Sequence, residues 1–217
     1  VKEVRAKIKK HLYEKYGEEF VVNRIGTQTA NGDTDYVARI YPKSIVGTQR
    51  EGDEYYYAKA GVGKEPFGKL GGVGDGYGTV KMNIEAEKYL MPEMKEIFGE
   101  KVLSKVEVGY YKKNEEGYFG HYLVHGFEEK LKKIKSDPKT KRLELELYVY
   151  VFDRIEDKVE KEKRRKDIFE FVQYLKKKGL FKYLEMGVIF IDERVLAPSY
   201  NKYMDKVYYS DKVEKKI

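Results

Sequence analysis

Cysteine and tryptophan are absent from the 217 residues, proline occurs only five times and histidine only three. Without cysteine there is no disulfide framework, no thiolate metal site and no cysteine nucleophile. Serine is sparse as well: Ser44, Ser104, Ser136, Ser199 and Ser210 are the whole set, and none sits in a nucleophile-elbow pattern. No apolar run approaches the roughly 20 residues that a membrane-spanning helix requires. Charge of a single sign is also missing. Forty-four Lys and Arg face 37 Asp and Glu, leaving a net +7 with the signs alternating along most of the chain. Proteins that bind nucleic acid gather their basic residues into a stripe, so nucleic acid is not the expected partner. The densest basic run, Lys158 to Lys166, is interrupted by Glu160 and Glu162 and reads as a solvated helix face. A surplus of this size still permits attraction to a polyanion such as an anionic membrane surface or a cell-wall polymer.

What is present is core material: 41% hydrophobic and 14% aromatic residues, with 21 tyrosines. That composition excludes a disordered chain, and the length suits one large domain or two small ones. Tyrosine fits half-buried sheet faces, where the ring packs and the hydroxyl stays wet.

The stretch from Val4 to Val22 sets the pattern for the rest. Val4, Ile8, Leu12 and Tyr16 form one apolar helix stripe, Gly17 stands where a left-handed stop is wanted, and Phe20-Val21-Val22 starts a strand. Asn31-Gly32 marks a hairpin turn, Asp35 to Tyr41 a second strand, and Tyr55 to Ala60 a third. The first unit is therefore expected to be a helix on an antiparallel meander. Gly61 to Gly78 holds eight of the twenty glycines and reads as a mobile loop or linker. A second helix is expected from an N-cap at Asn83, kinked or restarted at Pro92 and stopped by Gly99. Glu14 to Val21 and Glu96 to Leu103 align at one constant offset, matching Glu, aromatic, Gly, Glu and two apolar residues, which suggests a subdomain built twice. Leu143, Leu145, Leu147, Val149 and Val151 alternate as a strand whose other face, Glu144 to Tyr150, should be wet. A short helix over Phe127 to Lys135, a long charged helix over Glu156 to Lys178 and a last strand over Leu184 to Asp192 complete the pattern. In the long helix the apolar positions Ile168, Phe169, Val172 and Leu175 fall in the second half, so the first half should project into solvent. The expected fold is α+β, with two similar subdomains, each a helix packed on an antiparallel sheet. Its segments are 1–60, a glycine-rich linker at 61–80, a second subdomain at 81–193 and an irregular tail at 194–217.

Four groups of residues invite a chemical reading. Gly63 to Lys69 matches the first seven positions of a phosphate-binding loop, but Leu70 replaces the required hydroxyl and a helix does not follow. His121 and His125, with Glu128 and Glu129 nearby, have the spacing of two metal ligands on a helix. Their surroundings read as strand, where four residues separate the histidines by about 13 Å, too far for one zinc ion held at about 2 Å by each. His11 sits beside the first helix stripe, near the surface. Asp192 and Glu193 are adjacent, and on a strand they point to opposite faces. The tyrosines are the remaining hint: Tyr55, Tyr57, Tyr110, Tyr148 and Tyr150 give amphipathic area of the kind that interfaces favour.

The helix ending at Tyr13-Glu-Lys-Tyr-Gly-Glu-Glu-Phe-Val-Val22, followed by Tyr36-Val-Ala-Arg-Ile-Tyr-Pro42, resembles the ectodomains of small lipoproteins from Gram-positive bacteria. The resemblance covers about the first sixty residues. It implies an extracytoplasmic, membrane-anchored protein whose lipidated cysteine lies upstream of Val1, an expectation that the non-Met start shares. It offers no catalytic residues. The leading functional expectation is a non-enzymatic, cofactor-free binding or interaction module at the cell envelope, with an unknown protein or envelope polymer as partner. The alternatives are a metal-dependent hydrolase using His121 and His125, a weak nucleic-acid or phosphate binder, and, for location, the cytoplasm.

Overall fold

A computed structural model describes residues 1–30, 33–48, 50–112, 126–139 and 141–196. The chain is α+β and divides into two compact units within one helix, the first ending at Lys81 and the second starting at Met82.

Unit 1 opens with helix α1 (Lys2–Tyr16), followed by strands β1 (Phe20–Ala30), β2 (Asp33–Pro42), β3 (Ala58–Lys64) and β4 (Leu70–Asp75). The four strands pair in sequence order as an antiparallel meander. Val4, Ile8 and Leu12 are buried as the helix period requires. Alternation along the strands places Phe20, Val22, Ala38, Ile40, Ala60 and Val62 on the sheet face that α1 covers.

The glycine-rich stretch is not a linker. Residues 58–75 form a β-hairpin, and helix α2 (Tyr77–Phe98) starts directly after it. Glycines lower strand propensity, but backbone pairing satisfies the sheet regardless of side chain, and Val62 and Val73 face each other across the hairpin. The expected strand at Tyr55 also shifts. Asp53 accepts the Tyr55 N–H at 3.0 Å and sets a 3-10 turn over Glu54–Tyr56, so β3 begins only at Ala58.

Unit 2 comprises the rest of α2, then β5 (Val102–Lys112), α3 (Phe127–Ser136), β6 (Lys141–Phe152), α4 (Lys158–Lys177) and β7 (Leu184–Ile191). Its described sheet has the order β5-β6-β7, with β5 antiparallel to β6 and β7 parallel to it. The parallel pair arises because α4 carries the chain back along the sheet, as a crossover between parallel strands must. Every second residue of β6 from Leu143 to Val151 is buried, matching its alternation. Opposite them lie Ala86, Leu90, Met94 and Phe98 of α2, Phe127, Leu131 and Ile134 of α3, and Phe171 and Leu175 of α4, all buried.

Asn83 does not cap α2. The helix begins six residues earlier, where Asp75 Oδ1 accepts the Tyr77 N–H at 3.1 Å. Asn83 lies buried inside it, its Oδ1 accepting the Val108 N–H of β5 at 2.9 Å. Pro92 is accommodated within one continuous helix. The three glycine stops do behave alike: Gly17, Gly99 and Gly179 have φ of +73°, +96° and +70°, the left-handed region that a Cβ disfavours. Asn31, Gly32 and the tail beyond Leu196 lie outside the described residues. Among the described residues no helix is long and apolar enough to cross a membrane.

Candidate functional site

In unit 1 a group of ionisable side chains converges on Asp75, which is buried at the end of β4. His11 and Lys15, one turn apart on α1, reach its Oδ2 at 2.9 and 2.8 Å, and the Tyr16 hydroxyl donates to Oδ1 at 2.6 Å. With the Tyr77 N–H this supplies four donors for the four lone-pair positions of one carboxylate. Burial alone would raise the Asp75 pKa, but hydrogen bonds from Lys15, Tyr16 and His11 hold it below the usual carboxylate range. Burial, followed by the hydrogen bond to Asp75 and its charge, pushes the Tyr16 hydroxyl well above the ordinary tyrosine range. Tyr16 is further fixed edge-on against Tyr77 and tilted against Phe20. A carboxylate with every acceptor position filled has none left for a substrate, so this group is a clamp holding α1 to the end of the sheet. His11, expected near the surface, is thereby a structural residue. One signal for this group is visible in the sequence, the i, i+4 spacing of His11 and Lys15 on one helix face; Asp75 itself lies in the glycine-rich stretch, which carries no side-chain period.

The other sequence candidates separate. Gly63 to Lys69 is the β3–β4 hairpin, closed by a 2.9 Å bond from the Glu65 N–H to the Lys69 carbonyl, and it leads into a strand. It therefore lacks the helix N-terminus on which a phosphate-binding loop relies. Asp192 is held by Arg194 at 2.9 Å, which lowers its pKa to about 2, while Glu193 binds Lys101 at 2.5 Å. The two carboxylates are thus directed to different cations. His121 and His125 lie outside the described residues, and among the described residues no group of three His, Cys, Asp or Glu could hold a metal ion. Tyr57 is wedged between Tyr41 and the Arg39 guanidinium, and Tyr55 packs edge-on against Tyr56. Tyr110 points to the helix-covered face of the unit 2 sheet, with the Lys130 ammonium 4.7 Å from its ring.

Tyr148 and Tyr150 are the pair that the fold brings together. They stand on the opposite face of that sheet, where cross-strand register builds three successive rows. Leu103, Tyr150 and Ile189 form one, Lys105, Tyr148 and Gly187 the next, and Glu107, Glu146 and Glu185 the third. Tyr148 and Ile189 are 41% and 40% exposed, large values for such side chains in mid-strand. Gly187 explains the posture of Tyr148: a Cβ there would meet the ring's Cδ1 at 3.1 Å, so the bare backbone lets the ring lie across β7. Burial and the neighbouring Tyr148 raise the Tyr150 hydroxyl pKa. The three glutamates are exposed, stand side by side on adjacent strands, and have no ion-pair partner among the described residues. Like charges placed opposite one another weaken a sheet.

The chain matches no protein-family model and no curated protein. It is similar to a solved structure, a DUF5037 family protein from Ruminococcus gnavus ATCC 29149, at 14% identity and a TM-score of 0.48, over 95% of this chain and 87% of that one.

Proposed function

We propose that the chain is a non-enzymatic binding module of the cell envelope, and that it engages a protein partner through the open face of the unit 2 sheet. The observation that carries this reading is the exposure of Tyr148 and Ile189, with Tyr150 and Leu103 beside them, next to a row of three carboxylates that have no ion-pair partner among the described residues. An apolar patch of this kind favours burial against a partner, with the aromatic rings as anchors. The glutamate row selects which partner. A segment bringing one or two lysines or arginines next to an aromatic or aliphatic side chain would fill the patch and relieve the repulsion among the carboxylates. The envelope location rests on the resemblance of the first sixty residues and would be supported by digestion of the protein on intact cells by added protease.

A peptide-display selection on the purified chain tests the interface. Enriched peptides are expected to combine basic and apolar residues, and to lose at least tenfold in affinity for Glu146→Lys and Ile189→Asp variants that retain the wild-type circular dichroism spectrum. Enriched peptides without that composition, or with equal affinity for both variants, would count against this face.

A further inference from the structure

Unit 1 carries a second open face, opposite α1, and its organisation differs from that of the tyrosine face. Register sets Asn23, Arg39 and Lys59 side by side across β1, β2 and β3. The neighbouring row, Gly26, Val37, Gly61 and Gly74, is almost bare of side chains. A hollow of about 390 Å³ opens here, walled by Arg24, Arg39, Glu54, Tyr57 and Lys59.

Arg24 reaches this hollow through a backbone irregularity. Between Asn23 and Gly26 the register slips by one residue, and within that bulge Arg24 adopts φ +48°. A bulge redirects a side chain that strict alternation would send to the other face. The left-handed conformation suits glycine or asparagine far better than arginine. Local structure therefore gives no reason for arginine here; its cation does, since it stands with those of Arg39 and Lys59. The Arg39 guanidinium stands over the Tyr57 ring, 3.9 Å from its centroid, and one of its nitrogens donates to Glu54 at 2.7 Å. Arg24 and Lys59 have no ion-pair partner among the described residues. Among the described residues, three cations therefore face the hollow with a single carboxylate between them.

We infer that this hollow is a binding site for a small ligand bearing a polyvalent oxyanion, a phosphate group or a cluster of carboxylates. Arg39 presents a pre-oriented planar fork, the geometry that pairs with such groups in two hydrogen bonds. Arg24 and Lys59 close on the anion from the sides, and Glu54 is placed to accept a hydroxyl of the same ligand. This site lies in unit 1 and does not depend on the partner face of unit 2.

The test titrates the full chain with inorganic phosphate, glycerol phosphate and citrate at fixed ionic strength, following amide resonances and melting temperature. Saturable binding of at least one of them is expected, with shifts centred on residues 24, 39 and 59. Binding by the two phosphates identifies a phosphate site, and binding by citrate alone a carboxylate site. The Arg24→Gly variant is decisive because it should melt no lower than wild type, the strain having been removed, yet bind at least tenfold more weakly. Lys59→Gln should weaken binding without changing the melting temperature. No saturable binding of any of the three, or binding undiminished in Arg24→Gly and Lys59→Gln, would overturn the assignment.

Discussion

Replacing Asp75 with asparagine is expected to destabilise unit 1 by about 3 kcal/mol, the low end for removing one partner of a buried ion pair. The low end applies because Lys15 and His11 retain some exposure and can turn towards water. A loss of this size would lower the melting temperature of a unit of about eighty residues by at least about 12 °C. The pH dependence follows from the two shifted groups. Asp75 is depressed in the folded state, so its contribution is present above the unfolded carboxylate pKa of about 4 and disappears as pH falls through the lower folded value. Tyr16 is raised, so its contribution is present below the unfolded tyrosine pKa of about 10 and declines as pH climbs towards the higher folded value. Thermal melts from pH 2 to 11 should therefore fall off at both ends for the wild type. In Asp75→Asn the acid limb from this group should vanish. An unchanged melting temperature in that variant would show that the four-donor clamp contributes nothing.

The second large effect is expected at Phe171. Its side chain is fully buried in unit 2, packed edge-on against Phe98 and stacked on Tyr174. Phe171→Ala should cost about 4 kcal/mol through lost burial and the cavity left behind. Phe169, two residues earlier, is 65% exposed, and its change to alanine should stay within about 0.5 kcal/mol. Chemical denaturation of the two variants makes the comparison. Equal effects would mean that α4 is rotated from the face described.

That pair also shows where the sequence was readable. The expected stripe on α4 included Phe169 and omitted Phe171, although Phe171 stands three residues after Ile168 and four before Leu175, a helical spacing that Phe169 lacks towards Leu175. The packing of Phe171 against Phe98 agrees with that spacing. On β6 the alternation was legible: five apolar residues alternate with polar ones, and all five are buried. The glycine stops were legible for a similar reason, since a left-handed cap is a local demand met by one residue. The hairpin at 58–75 was not legible. Its strands are held by backbone pairing between glycine-rich segments, which leaves no side-chain period to detect and nothing to mark Asp75 as a buried partner. The tyrosine face was half legible. Alternation placed Tyr148 and Tyr150 on a wet face, but Ile189, Gly187 and the row of glutamates join them only through cross-strand register, which one strand's sequence does not encode.

Amide chemical-shift mapping of the tightest display-selected peptide on the isotopically labelled chain is the most direct test of the proposed binding role. Perturbations are expected to cluster on residues 103, 146, 148, 150, 187 and 189, with the core-face residues Leu145, Leu147 and Val149 of the same strand little affected. Shifts confined to other surfaces, with this face unperturbed at saturation, would contradict it.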